Sequence, residues 1–158
     1  MSKAGYSAPS GAAVALVAAT AKTVIGVAAP AQFGVDLTKL RISFDGVTAS
    51  AIPVLVELCY ATFATNPPGT NSTSITVQQE YGRSIVAGFT AAYAWTAAKE
   101  PTVLTTLDNW TLTPNGGLVV YDIPLGSTPD SAVSQGFAIR CTAPAAVNCR
   151  PTLKFERC

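Results

Sequence analysis

The side chains in this sequence able to do chemistry are nine carboxylates and four cysteines. The acids are Asp36, Asp45, Asp108, Asp122 and Asp130 with Glu57, Glu80, Glu100 and Glu156, each isolated in sequence. Two of them brought together in space would make a glycosidase-like acid pair, but no spacing selects a couple. Cys59, Cys141, Cys149 and Cys158 lie too far apart for a local zinc knuckle. Histidine is absent, which removes Ser-His-Asp and Cys-His catalysis, His-ligated zinc and the usual acid-base group near neutral pH. No phosphate-cradling glycine loop, Gly-x-Ser-x-Gly elbow or calcium loop occurs. The chain is therefore expected to be no enzyme and to hold neither cofactor nor metal. Four cysteines permit three pairings that sequence alone does not rank, Cys141 with Cys149 across a turn among them. Reduced, partly buried thiols are the preferred reading, because nothing else marks a disulfide-stapled secreted chain.

A length of 158 residues with 49% hydrophobic character suits one domain with a real core. Only 12% of residues are charged, against roughly 25% in an average globular chain, so part of the surface is expected to be covered by other subunits. Ten basic and nine acidic residues are scattered singly, giving a net charge of +1. No basic stripe is available to neutralise phosphates, and nucleic-acid binding is not expected. The apolar run from Gly11 to Ala21 is cut by Lys22, short of the roughly 18 to 20 residues that span a bilayer. No membrane contact is expected. A signal peptide starting at Lys3 and ending near Ala18-Ala19-Thr20 is the rival to reading this stretch as two strands, Ala13 to Ala18 and Thr23 to Ala28.

The elements that must carry these residues are strands. Thr102 to Gly126 reads as a hairpin folded across Pro114-Asn115-Gly116-Gly117, since Asn-Gly and Gly-Gly supply the positive-φ positions of tight turns. Leu40, Ile42 and Phe44 alternate with Arg41, Ser43 and Asp45; Val54, Val56, Leu58 and Tyr60 share a parity in the next run. Phe137, Ile139 and Cys141, then Leu153 and Phe155, repeat the pattern near the end. Phe89, Tyr93 and Trp95 are expected in the core. About 8 to 10 short strands at this spacing, with no long period-3.6 segment, predict an all-β, single-domain antiparallel β-sandwich or jelly-roll-like barrel over residues 11–158. Residues 1–10 are expected to be an extended N-terminal arm crossing a neighbouring subunit, with Tyr6 as anchor and Pro9 beside it. The loop from Asn66 through Pro67, Pro68 and Asn71 to Ser74 is expected to be a surface loop that carries function.

Three stretches carry a resemblance. They are Phe44-Asp45-Gly46-Val47-Thr48-Ala49-Ser50-Ala51-Ile52-Pro53-Val54 with Val56-Glu57-Leu58-Cys59; Glu100-Pro101-Thr102-Val103-Leu104 leading to Trp110 and Thr113-Pro114-Asn115-Gly116-Gly117; and Gly136-Phe137-Ala138-Ile139-Arg140 with Thr142-Ala143-Pro144-Ala145-Ala146-Val147-Asn148. In their order and wording the chain resembles small virion proteins of tailed bacteriophages, the head decoration or minor capsid proteins. The resemblance implies a compact β domain, often trimeric, that sits on the outer capsid surface, binds the major capsid protein and cements neighbouring capsomers. It implies assembly in a bacterial cytoplasm, which favours reduced cysteines. Tyr6, Pro9, Asn66, Pro67, Pro68 and Asn71 are the expected capsid or subunit contacts. Two other functions are weighed beside it: a tail-tube or head-to-tail connector subunit, and a carbohydrate- or receptor-binding sandwich with Trp95, Trp110 or Tyr121 exposed beside Asn or Asp.

Overall fold

The computed structural model describes residues 4–45 and 52–158. Residues 46–51, part of the first resembling stretch, and residues 1–3 of the expected arm lie outside the described residues. Twelve strands run through them: β1 (Gly5–Pro9), β2 (Val14–Leu16), β3 (Ala21–Ala28), β4 (Val35–Asp45), β5 (Val54–Ala61), β6 (Thr73–Ile75), β7 (Gln78–Tyr81), β8 (Thr90–Tyr93), β9 (Leu104–Leu112), β10 (Val119–Asp122), β11 (Gly136–Thr142) and β12 (Val147–Arg157). Their ladders are antiparallel and form two sheets. One has the order β10-β4-β12-β1-β7, with β2 lying along β12 beyond the end of β1; the other has the order β6-β8-β3-β11-β5-β9. The sheets pack face to face as the expected β-sandwich. Among the described residues no helix is long and apolar enough to cross a membrane.

The period-2 alternation explains which side of each strand faces inward. Leu40 and Ile42 of β4 and Leu153 and Phe155 of β12 meet Val56 of β5 and Phe137 and Ile139 of β11 in one continuous core, all essentially inaccessible. Burying a large side chain of this kind contributes on the order of 1.5–3 kcal/mol, and Trp95, Tyr6, Phe137 and Phe155 are the largest fully buried ones. Phe89 and Trp95 are buried as expected, while Tyr93 is only half-buried. A second, smaller cluster lies on the outer face of the β6–β9 sheet. Ala28, Ala61, Ala92 and Ala138 make a floor of small residues there, on which the rings of Phe63 and Trp95 stack at 6.3 Å and 26°. Gly26 completes the floor: a Cβ at that position would come within 3.1 Å of Trp95 and 3.2 Å of Phe63.

Two expectations from the sequence need correction. The expected hairpin between the arms around Asn115 does not form. β9 pairs with β5 and β10 with β4, so the connection through the 3-10 turn Pro114–Gly116 carries the chain from one sheet to the other. Of the turn residues only Gly117 has positive φ (76°), whereas the type I′ hairpin turn that Asn-Gly favours needs it at two successive positions. The N-terminal segment is extended, but it is not an arm outside the domain. Gly5–Pro9 is hydrogen-bonded on one side to β12 and on the other to β7, inside its own sheet. Tyr6 is 1% exposed there, with its ring against Phe89 (5.4 Å) and Phe155 (6.2 Å). A single large ring on a polar segment is enough to dock it when the core offers an aromatic socket.

Candidate interaction surface

β9 and β10 are the terminal strands of the two sheets and lie on the same flank of the sandwich. Each offers one unpaired backbone edge, a template for another strand unless it is blunted. β9 is blunted by a bulge. Leu58 is opposite Asp108 and Cys59 opposite Thr106, which leaves Leu107 without a partner residue in the ladder. A bulge re-aims side chains, and this one leaves Leu107 49% exposed.

The bulge also sets the position of Asp108. Its Oδ1 accepts the Asn109 N–H at 2.8 Å and its Oδ2 accepts the Tyr121 hydroxyl at 3.1 Å. That hydrogen bond, reinforced by some burial, raises the Tyr121 phenol above its ordinary pKa. Tyr121 stacks on Trp110 across the gap between the sheets, with ring centroids 5.3 Å apart and planes 6° from parallel. Along β10 and just beyond its ends Leu118, Val120 and Leu125 are 60%, 45% and 89% exposed, with Val120 on the face of the strand opposite Tyr121. A cation–anion pair, Lys39 Nζ to Asp122 Oδ1 at 2.7 Å, spans the β4–β10 ladder and cancels itself, and Arg41 lies opposite Val120 in the same ladder. Leu58, Leu107, Asp108, Tyr121, Ile123 and Pro129 line a shallow pocket of about 210 Å³ beside it.

Elsewhere several charged side chains are bonded to one another. On the outer face of the β6–β9 sheet, Arg140 donates to both oxygens of Glu57 at 2.8 and 3.0 Å, and the Thr106 hydroxyl donates to Glu57 at 3.2 Å. The guanidinium holds the Glu57 carboxyl below its usual range, and Glu57 in turn raises Arg140. Burial pushes the neighbouring Cys59 thiol up, leaving it a poor nucleophile at neutral pH. On the outer face of the other sheet, a cleft of about 300 Å³ gathers Lys39, Glu80, Tyr81, Asp122, Lys154 and Glu156. Lys154 bonds Glu80 at 2.6 Å and the Tyr81 hydroxyl donates to Glu156. Three carboxylates thus approach one cleft, and each has a cation or a hydroxyl as its partner. Among the described residues no group of three or more His, Cys, Asp or Glu is placed to hold a metal ion. Cys59, Cys141 and Cys149 are buried free thiols, and Cys158 is an exposed one.

The six contacts expected from sequence fall in separate places, Tyr6 and Pro9 on β1 and the other four together in the loop 66–71. Tyr6 is in the core, and Pro9 is exposed at the end of β1. Asn66 and Asn71 hold a lid over Trp95. The Trp95 indole N–H donates to the Asn66 carbonyl at 2.9 Å, the Asn71 amide donates to Asn66 Oδ1 at 2.8 Å, and Asn66 Nδ2 donates to the Glu100 carbonyl at 3.1 Å. Both asparagines take positive φ (50° and 55°), a conformation this side chain tolerates. Pro67 is exposed on the rim of that lid and Pro68 half-buried. Of the three aromatics weighed for a sugar face, Trp95 is covered, Trp110 is half-buried and Tyr121 is 38% exposed. Sequence reasoning missed the β9–β10 flank, although the apolar Leu118, Val120 and Leu125 on and beside β10 are its signal.

No family model, curated protein or solved structure matches this chain.

Proposed function

We propose that this chain is a structural protein of a tailed-bacteriophage virion, a decoration protein that associates with copies of itself, as a trimer, and with the major capsid protein on the outer surface of the head. The observation that carries the reading is the β9–β10 flank: exposed Leu107, Leu118, Val120 and Leu125 on a chain with only 12% charged residues. Exposed leucines and valine of this kind, on a chain short of charge, support a contact site along this flank. The resemblance of the three stretches supplies the class of partner. Each copy needs only modest affinity, because simultaneous engagement of several sites multiplies binding without new contacts.

Light scattering on the purified protein, followed by sedimentation with empty capsids, tests this. A trimer that co-sediments is the expected result; a monomer that stays in the supernatant overturns it. One observation favours a second reading. The exposed Tyr121 ring, with the Asp108 carboxylate at its hydroxyl and a small pocket alongside, has the parts of a shallow saccharide site. On that reading a glycan array would give binding that Tyr121→Ala abolishes, with no dependence on capsids.

A further inference from the structure

The chain between β7 and β8 crosses from one sheet to the other. Its ends are fixed: the Tyr81 hydroxyl donates to Glu156 on β12, and the Phe89 ring packs edge-on against Phe155 at 4.9 Å. Between them Gly82 and Gly88 take positive φ (98° and 71°) and bracket Arg83-Ser84-Ile85-Val86-Ala87. Arg83, Ser84, Ile85 and Val86 are exposed, Val86 at 88%. Among the described residues, no backbone–backbone hydrogen bond reaches residues 82–89. Side chains hold the segment instead. Gln79 Nε2 donates to the carbonyls of Tyr81 at 3.1 Å and Arg83 at 2.5 Å, Gln79 Oε1 accepts the Ile85 N–H at 3.3 Å, and the Tyr6 hydroxyl donates to the Ile85 carbonyl at 3.4 Å. The Arg83 guanidinium has no hydrogen-bond or ion-pair partner among the described residues. The other basic residues are placed differently. Seven lie inside β3, β4, β11 and β12, and Lys99 lies in a turn whose next residue, Glu100, is tied by its carboxylate to Thr23 and by its carbonyl to Asn66.

We propose that the Arg83–Ser84 bond is a processing site for an arginine-specific protease, and that Gln79 is the latch that restrains it. Such an enzyme reads arginine with a carboxylate at the base of its pocket and takes the flanking residues as an extended strand. Exposed segments free of ladder bonds are where chains are nicked. In the reaction the C–N bond breaks; the water oxygen ends on the Arg83 carbonyl carbon as a carboxylate, and both water hydrogens end on the Ser84 nitrogen as an ammonium. The carbonyl to be attacked is the one Gln79 holds, so cleavage proceeds through the fraction of molecules in which that amide has let go. The two products stay in one sandwich, because their strands interleave. β12 of the second fragment lies between β1 and β4 of the first, and β3 of the first lies between β8 and β11 of the second. The cut leaves the fold in place and frees an end that begins Ser84-Ile85-Val86, whether or not the flank of β9 and β10 is a contact surface.

A trace of trypsin added to the folded full chain, followed by mass spectrometry over time, tests the proposal. The first cut within residues 4–158 is expected after Arg83, giving a fragment 84–158 that co-elutes with its partner in non-denaturing gel filtration and separates from it in urea. A first cut elsewhere in residues 4–158 overturns the proposal, as does a chain left whole while the same trypsin digests it in urea, or a nick after which the fragments come apart without denaturant. Gln79→Ala is expected to give the same first product about tenfold faster, since it removes the hydrogen bonds that hold the segment closed; an unchanged rate overturns the latch. Arg83→Gln is expected to resist the cut with its Tm unmoved. Should either variant fail to fold, the wild-type digest decides the site alone.

Discussion

Trp110 and Tyr121 stack 6° from parallel although their strands belong to different sheets and share no ladder. The contact closes the open flank of the sandwich with side chains, where backbone pairing between β9 and β10 would have closed it with hydrogen bonds. An aromatic pair of this geometry contributes about 0.5–1.5 kcal/mol beyond the area it covers.

A double-mutant cycle measures that coupling. Trp110→Ala and Tyr121→Ala are each expected to lower stability by about 1–3 kcal/mol, less than the roughly 3–5 kcal/mol typical of fully buried aromatics, because both rings are partly exposed. The pair together should lose about 0.5–1.5 kcal/mol less than the sum. Strict additivity in urea unfolding would show that the stack is a coincidence of position.

Tyr6 separates two views of the N-terminal strand. Packed against Phe89 and Phe155, it should cost about 3–5 kcal/mol when truncated to alanine, whereas exposed Pro9 should cost within about 0.5 kcal/mol. Were the segment instead an arm for a neighbour, Tyr6→Ala would leave the monomer's unfolding midpoint intact and change only the mass in solution.

The strands with strict alternation, such as Leu40-Arg41-Ile42-Ser43-Phe44 and Phe137-Ala138-Ile139-Arg140-Cys141, were legible because the period alone reveals a half-buried strand. Gly5–Pro9 was not: its one large residue gives no periodicity, and its strand character comes from β12 and β7, far away in sequence. Sheet membership was illegible for the same reason. The turn at Asn115 has hairpin-like residues, and only the long-range preference of β9 for β5 sends its arms apart. The bulge at Leu107 depends on the register of a partner strand, so the feature that shapes the candidate surface leaves no local signature. The lid over Trp95 was visible as a loop, but its asparagine bonds were not.

Glu57 makes a pH prediction. Arg140 lowers its folded pKa below the ordinary value of about 4.3. The unfolded chain therefore binds a proton at Glu57 more readily than the folded one. The stabilisation is fully present above the unfolded pKa and is lost as pH falls through it toward the folded value. Arg140 stays protonated throughout and adds no slope. Exposed Asp45, lowered by Arg150, slopes the same way. Tm should be flat near neutrality and fall below about pH 4.5, and Glu57→Gln should be less stable at pH 7 with a shallower acid fall. An unchanged acid limb in that variant, followed by calorimetry, would remove Glu57 from the account.

The apolar flank yields the prediction that separates folding from assembly. Leu107, Leu118 and Leu125 are about half to nine-tenths exposed, so each contributes little to the core of its own chain. Leu125→Lys and Leu107→Lys should leave the urea midpoint within the equivalent of about 0.5 kcal/mol. If the flank is the contact surface, the same changes place a charge in a buried apolar contact and should cost several kcal/mol of association. That would convert the oligomer to monomer and abolish capsid binding at working concentrations. The saccharide reading expects something different: Leu125→Lys would be silent, and only changes at Tyr121 and Asp108 would matter. Mass in solution for this small set of variants therefore distinguishes a leucine surface that joins subunits from an aromatic site that meets a small ligand.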